Sequence, residues 1–535
     1  MSRAPVMGLA LLWLLACGLA LIGLGALPLR DFDEGIVARV ALELSQKQGS
    51  ERLLPTLWGS PYLNKPPGLH GIIAFAIQIS GNGSSALSQP PSAFVVRIMP
   101  ALVSTLVVPL AGLVQWHLRT NDRLASLATA GILLTLMPVA RHGRLAMLDG
   151  PQLSAMAMLW LLLLAINRGP MDRWKAFGAG LSSSAMLLLK APLLIPAAAA
   201  ALVPILWGGE LKQSWRWPLA GWLALGLIPG LAWHVLHGLE RGIGALWLWG
   251  GDGAGRVLFS AGEGSDLGWK VPVIEMLEGG WPWLVLWPFA LVWAWQQRHN
   301  RWGRWALSTQ AVLAMSILPL KTQLPWYSHP LWLPVALLCG VPLAWLIRRE
   351  KPNALAGTKL LSRVPSFWLT LGIALLALGL LGASGLVLEL RPYSSIAICA
   401  GAGWGVGGLL LVQQTTSQRL TGAISLMAGS FAALALMMGG SFWLWELNEN
   451  WPVQPVAQLA NRAKGSELVL EGNDERPSLN WYASQRIQAL ESLPNASWIL
   501  SRHPKKVQAI DPSRSCHTTD KEGEWSLVFC DPISQ

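Results

Sequence analysis

"PVMGLALLWLLACGLALIGLGALPLRDFDEG", residues 5–35, decides the class of fold. From Pro5 to Leu27 it is an apolar run, and a bilayer crossing takes roughly 20 predominantly apolar residues. A secretory signal has a shorter apolar region and a small-residue cleavage site, so the run reads as a retained first helix. Directly after it, Arg30, Asp31, Asp33 and Glu34 crowd together. Charges pressed against a membrane-type segment need a partner, a substrate or open water.

The pattern of the first segment recurs along the chain. Of 535 residues, 53% are hydrophobic and 13% are charged, against about one quarter charged in soluble domains. One small soluble core cannot hold this much apolar sequence, and a polytopic, mainly α membrane protein follows. The 31 tryptophans suit belts at the two bilayer surfaces. The net charge of +11 does not point to nucleic acid, because the cations sit in short gaps between apolar runs, where they set topology.

Spans are expected at approximately 5–28, 98–116, 124–140, 147–167, 176–190, 193–208, 218–238, 281–296, 305–320, 331–347, 366–389, 395–413 and 421–445, about thirteen in all. "GLHGIIAFAIQIS" (68–80) is too short to cross and reads as an interfacial or re-entrant helix. The even gaps, among them "HLRTNDR", "RGPMDRWK" and "QQRHNRWGR", are rich in Arg and Lys. By the positive-inside rule they are cytoplasmic, which puts the N-terminus inside and the C-terminal tail outside. The odd gaps carry acids, histidines, aromatics and prolines, so the chemically rich segments share the outer face. Residues 446–535 form a separate region. Strand-length runs "SELVLEG", "SWILSR" and "EWSLVFC", with a short helix in "PSLNWYASQRI", predict a small α/β domain on that face. Cys516 and Cys530 lie in it and become a candidate disulfide if the compartment is oxidising. "NAS" (495–497) fits a glycosylation sequon, relevant only in a eukaryotic secretory context.

Five outer segments carry candidate chemistry. "DEGIVARVALELSQ" spaces its apolar residues as an amphipathic helix at the interface, with Asp31, Asp33 and Glu34 in or before the first turn, where the helix dipole favours negative charge. Asp31 reads as a cap; Asp33 and Glu34 suit a general base or an acceptor site. In "WGSPYLNKPPGLH" (58–70), two prolines stiffen the chain beside Lys65, a point charge suited to a phosphate at the membrane surface. In "RHGRLAMLDGP", Arg141 and Arg144 could face one anion from one helix, and Asp149 needs a partner inside the bundle. Lys190 in "MLLLKAPLL", and Lys321, Tyr327 and His329 in "KTQLPWYSHPLW", reach the same face, with snorkelling the plain alternative for the lysines. No Walker motif, HExxH, C-x-x-C pair or Rossmann glycine pattern occurs, and the isolated His234 and His237 make no metal site, so neither cofactor nor metal is expected.

Taken together, these motifs resemble the membrane glycosyltransferases that use polyprenyl-phosphate sugars, a group that includes protein O-mannosyltransferases and lipid A aminoarabinose transferases. The family's "DE" after the first span resembles Asp33–Glu34, and its "Y-x-x-K-P-P-L" resembles "YLNKPPGL". "R-L-P-S-A-L" resembles "RIMPAL" (97–102), "R-x-A-M-x-D" resembles "RLAMLD", "T-K-G-P" resembles "LKAP", and "K-x-P-x-Y-x-x-P" resembles "KTQLPWYSHP". Order and spacing agree over roughly the first 340 residues. The chain departs from the pattern at Ile36–Val37, where relatives carry an Arg–Tyr type pair, and at Ala191, where they carry glycine.

The resemblance implies a GT-C fold and an inverting transfer of a sugar from a polyprenyl phosphate to a lipid or protein hydroxyl in a bacterial inner membrane. It implies Asp33 as base and Glu34 and Asp149 as orienting acids. Lys65, Arg141, Arg144, Lys190 and Lys321 would hold the departing phosphate, and Tyr62, Tyr327 and His329 would line the substrate pocket. With several cations at hand, that scheme requires no metal. The alternatives are a polyprenyl-linked polysaccharide ligase or polymerase, and a transporter or lipid flippase. The latter should show internal repeats and polar residues near the midplane, whereas here the polar residues gather at one end of the spans.

Overall fold

The computed structural model describes residues 4–81, 90–209, 217–246, 268–349, 355–440, 452–463, 467–472, 475–490, 497–504, 507 and 515–531. The middle of the 239–280 loop, and all but the last residue of "NAS", lie outside them. The chain forms two compact units. One comprises Met1–Gly23, Leu63–Leu69 and Pro100–Gly440; the other comprises Leu24–Tyr62, His70–Met99 and Ser441–Gln535.

The first unit is helical. Among the described residues of the chain, seven helices are long and apolar enough to cross a membrane, or eight if the bent pair Arg123–Thr135 and Met137–Gly143 counts as one span. The segment Pro325–Arg348 is its centre, 94% buried over its most apolar stretch, while Pro218–Arg241 is 22% buried and turns its apolar side chains outward. That contrast is expected where the surrounding solvent is hydrocarbon and only some helices need protein on all sides. Several tryptophans pack inside the protein. Trp160, Trp283, Trp302 and Trp368 are fully buried, and their indole N–H groups donate to Ala197 O, Thr135 Oγ1, Leu337 O and Pro282 O. Each supplies a large apolar surface while its one donor is satisfied by a neighbouring segment.

Proline breaks the helices at the ends that matter. Pro138 has no N–H, and its ring would collide with the carbonyl one turn earlier. The chain leaves the helix at Leu136 (φ −77°, ψ 116°) and restarts at Met137, a bend of 60°. Likewise Pro192 ends the helix Asp172–Lys190: Lys190 is non-helical (φ −146°, ψ 81°) before a short 3₁₀ turn and the helix Leu194–Trp207. A 3₁₀ segment, Pro325–Leu331, precedes the helix Trp332–Arg348.

The second unit joins segments of the first long polar loop to the C-terminal region. Its sheet contains β3 (Leu468–Leu470), β4 (Gln488–Ala489), β5 (Trp498–Ser501), β6 (Cys516–Glu522) and β7 (Trp525–Cys530), in the order β4-β3-β5-β7-β6. β3 pairs parallel to β4 and β5, and β7 pairs antiparallel to β5 and β6. Cys516 and Cys530 are direct partners in the β6–β7 register and are disulfide-bonded. β1 (Thr56–Leu57) and β2 (Ser60–Pro61) form a small hairpin, whose turn Glu43 holds by accepting from Thr56 Oγ1 and Trp58 N. The helix Asp33–Gln46 begins where the acid pair predicts, but it does not lie on a surface with one face bare. Nine of its 14 residues are buried, because the helix Pro477–Ala483 and strand β1 cover it.

Candidate active site

Three acids lie at or just before the start of the helix Asp33–Gln46, and their surroundings separate them. Glu34 is fully buried. It accepts from Arg97 Nε at 2.8 Å and Nη2 at 2.6 Å, and from Arg30 N at 2.8 Å. Arg97 spends its remaining donors on the carbonyls of Leu24, Leu27 and Pro28. Asp31 is buried too; it caps not its own helix but Pro477–Ala483, accepting from Ser478 N at 2.9 Å and from Arg476 Nη1 at 3.1 Å. Asp33 keeps a side chain 36% exposed, with the Arg30 guanidinium 3.6 Å away. Of the three, it alone presents its carboxylate outward.

The backbone that presents it is strained. Phe32 has φ 50° and ψ −61°, and Asp33 N donates to Asp31 O, a γ-turn of the hand that L-residues rarely adopt. Such a conformation costs on the order of 1–3 kcal/mol and persists only where its surroundings over-determine it. Tyr62 belongs to the same unit. Its phenol is held above its ordinary pKa, by burial first and then by the negative charge of Asp33. It is therefore a neutral hydroxyl within the field of that carboxylate. His70, also fully buried, meets the Tyr62 ring edge-on at 5.4 Å.

The helical unit gathers most of the candidate cations on its proline breaks. Lys190 Nζ lies 2.8 Å from Asp149 Oδ1 and 4.7 Å from the centre of the Tyr327 ring. Asp149, which needed a partner, thus finds a lysine. Arg141 pairs with Glu275 at 3.0 Å, and both are buried. His329 is buried within electrostatic reach of His142, Asp149, Lys190 and Arg141, and His142 meets it at 5.8 Å. Among the described residues, neither ring nitrogen of His329 has a hydrogen-bond partner. The segment carrying Lys65 comes to the same break: a Cβ on Gly68 would lie 2.5 Å from Leu188 O. Only glycine permits that approach, to a carbonyl that Pro192 leaves without its usual helical donor. Lys65 is half-buried and Lys321 is exposed.

Arg144 differs from the expectation. The helix bearing Arg141 ends at Gly143, and Arg144 donates to Ile22 O and Met438 O. Its guanidinium thus serves the ends of two other helices. Sequence reading gave no role to Glu275, His142, His70, Arg97, Arg476 or Tyr482. A lone arginine in "AFVVRIMPAL" and a lone acid in "VPVIEML" were the available signals, since each must find a partner in apolar surroundings.

No family model matches the chain. It is 28% identical over 386 residues to an undecaprenyl phosphate-alpha-4-amino-4-deoxy-L-arabinose arabinosyl transferase of Pseudomonas paraeruginosa, covering 68% of this chain and 64% of the relative. A Pseudomonas fluorescens relative of the same name is 28% identical over 337 residues, 59% and 57%. The chain thus matches a little under two thirds of these relatives' length. The crystal structure of ArnT from Cupriavidus metallidurans bound to undecaprenyl phosphate superposes with a TM-score of 0.69 over 99% of both chains at 16% identity. The fold is that of ArnT. The archaeal oligosaccharyltransferase AglB of Archaeoglobus fulgidus follows at 0.50, with 10% identity over 94% of this chain and 70% of its own. The expected GT-C architecture is therefore present, and the ArnT-type fold extends through the C-terminal region, beyond the stretch in which the sequence motifs lie.

Proposed function

We propose that this protein is an inner-membrane glycosyltransferase that moves a sugar from a polyprenyl phosphate to a lipid or protein acceptor on the extracytoplasmic face, with inversion. The reading rests chiefly on the gathering of Arg141, Lys190, Tyr327 and His329 at breaks in three different helices. Cations set at span ends beside aromatic surface suit a phosphate whose prenyl tail stays in lipid. The relatives' name, with undecaprenyl phosphate as carrier and an aminopentose as the sugar, makes such a donor the first to try.

In this scheme the Asp33 carboxylate takes the proton of the acceptor hydroxyl, and that oxygen attacks the anomeric carbon. The bond from that carbon to the phosphate oxygen breaks, and its electron pair leaves with the phosphate. Lys190 and Arg141 stabilise the departing anion, with Lys65 and Lys321 as further cations, in surroundings where water is scarce and such contacts count most. Asp149 holds Lys190 in place. His329 offers a ring nitrogen to a substrate oxygen, and Tyr62 a neutral hydroxyl. Glu34, engaged by Arg97, is a framework acid rather than a base.

The thirteen-span topology belongs to the same reading. Splitting Asp172–Trp207 at Lys190, counting the bent pair once, and adding Val6–Leu21, Asp149–Leu164, Trp283–Gln296 and Arg301–Ile317 to the other six long helices supports it. The Cys516–Cys530 disulfide favours an oxidising, outer location for the C-terminal domain. The test is transfer of radiolabelled sugar from total lipid extract in membranes holding the native chain or Asp33→Asn. Transfer by the native chain, and its loss at equal expression in the variant, is expected. Full activity in the variant would remove Asp33 from the base role.

A further inference from the structure

The strained turn at Phe32 is anchored on both flanks, and one anchor lies far away in the sequence. On one side Glu34 is locked by Arg97, and Gly35 N donates to Arg30 O at 2.9 Å. On the other side, residues of the C-terminal region grip the chain. Asp31 accepts from Ser478 N and Arg476, and Leu29 N donates to the Tyr482 hydroxyl at 2.8 Å. A Cβ on Gly35 would lie 2.7 Å from Ser478 N, so the start of the helix Asp33–Gln46 is seated directly on the helix Pro477–Ala483. Phe32 itself is 44% exposed, so burial of its own ring does not secure the turn. If Phe32 relaxed to negative φ, Asp31 and Glu34 could not both keep their partners, and Asp33, between them, would point elsewhere.

From this we infer that the C-terminal domain is a clamp for the catalytic turn: Arg476 and Tyr482, with Arg97 opposite, are positioning residues that hold Phe32 in its strained form and so aim Asp33. The inference rests on the reading of Asp33 as the base. It makes the outer domain part of the reaction machinery, although none of its residues needs to touch substrate. A reacting group displaced by about an ångström loses on the order of a hundredfold in rate, with little change in binding.

The experiment uses the full chain in lipid nanodiscs and two readouts. Hydrogen exchange of the backbone amides at residues 29–36 reports the turn. Steady-state transfer from undecaprenyl-phosphate-linked sugar reports the chemistry. In Asp31→Ala and Arg476→Ala, exchange in 29–36 should rise by about tenfold or more, with other segments unchanged. In the same variants kcat should fall by about tenfold or more, while KM for the donor stays within about twofold. Asp31→Asn, which keeps the cap on Ser478, and Arg476→Lys, which keeps the charge, should recover most of both. Asp33→Asn should abolish transfer and leave exchange as in the native chain. Native exchange and native kcat in Arg476→Ala, whose side chain is 40% exposed and whose loss the fold tolerates, would overturn the clamp. Transfer surviving in Asp33→Asn would instead overturn the base assignment, with the exchange readout still deciding whether the clamp exists.

Discussion

Asp31, Asp33 and Glu34 carry the same charge within four positions, and their burial gives them three different tasks. One caps a distant helix, one faces outward, and one neutralises a fully buried arginine. Breaking a buried ion pair by removing one partner costs about 3–5 kcal/mol, because the other charge is left without compensation. Glu34→Gln should therefore lower the thermal midpoint of the detergent-solubilised protein by several degrees. Asp33→Asn, on a partly exposed side chain, should stay within about 0.5 kcal/mol of the native stability. Equal melting of the two variants would mean that the Glu34–Arg97 pair does not hold the loop. The acid pair was visible in the sequence because charges beside an apolar span stand out. Which acid keeps its carboxylate partly exposed was not visible, since that depends on Arg97, Arg476 and Ser478, residues 63 or more positions away along the chain.

At the scale of elements, prolines decide where the candidate residues sit. Pro138, Pro192 and Pro325 each end or begin a helix, and Arg141, Lys190 and Tyr327 lie within three residues of them. Proline's lost donor and ring clash are local properties, so the ends at Pro192 and Pro325 were legible, whereas the expected span 124–140 ran through the bend at Pro138. The neighbours that cover the amphipathic helix Asp33–Gln46 and enclose Trp160, Trp283, Trp302 and Trp368 are set by tertiary packing and leave no local signal. The ends at Asp122, in a gap read as cytoplasmic, show a different device. Asp122 caps Ala125 N and binds Arg348 through two hydrogen bonds of 3.0 Å, with Arg119 at 3.1 Å. Burial pushes its pKa up, but the hydrogen bonds of Arg348 and Ala125 and the charges of Arg348 and Arg119 outweigh it, so the carboxyl sits below its usual value. A carboxyl depressed on folding gives stability that is present above its unfolded pKa, about 3.9, and lost as pH falls through the lower folded value. The native midpoint should drop on acidification below about pH 4, and Asp122→Asn should remove part of that drop. Identical acid limbs in the two proteins would contradict the clasp.

For the whole molecule, the order of motifs and the recurring apolar runs led to the fold, and the strand-length runs led to the C-terminal sheet. The polar edge strand β6 escaped notice because most of its residues are exposed and it has no apolar alternation. Segments of the first long polar loop belong with the C-terminal region in one compact unit, a partnership that no local pattern encodes. The disulfide across β6 and β7 closes a short loop, and removing such a link costs about 3 kcal/mol. Cys516→Ser should make the C-terminal region the first part of the chain cut by protease, with the helical unit intact. Unchanged proteolysis would show that the bond adds nothing to that sheet's stability.

Transfer of sugar from the carrier phosphate is the central claim, and the most direct measurement follows both products at once. Purified protein in proteoliposomes would be given undecaprenyl-phosphate-linked sugar and an acceptor lipid extract, and mass spectrometry would count liberated undecaprenyl phosphate against sugar gained by the extract. One carrier phosphate released per sugar transferred, with both products absent in Asp33→Asn, is the predicted result. Intact carrier crossing the bilayer without cleavage, or sugar released to water with none transferred, would contradict it.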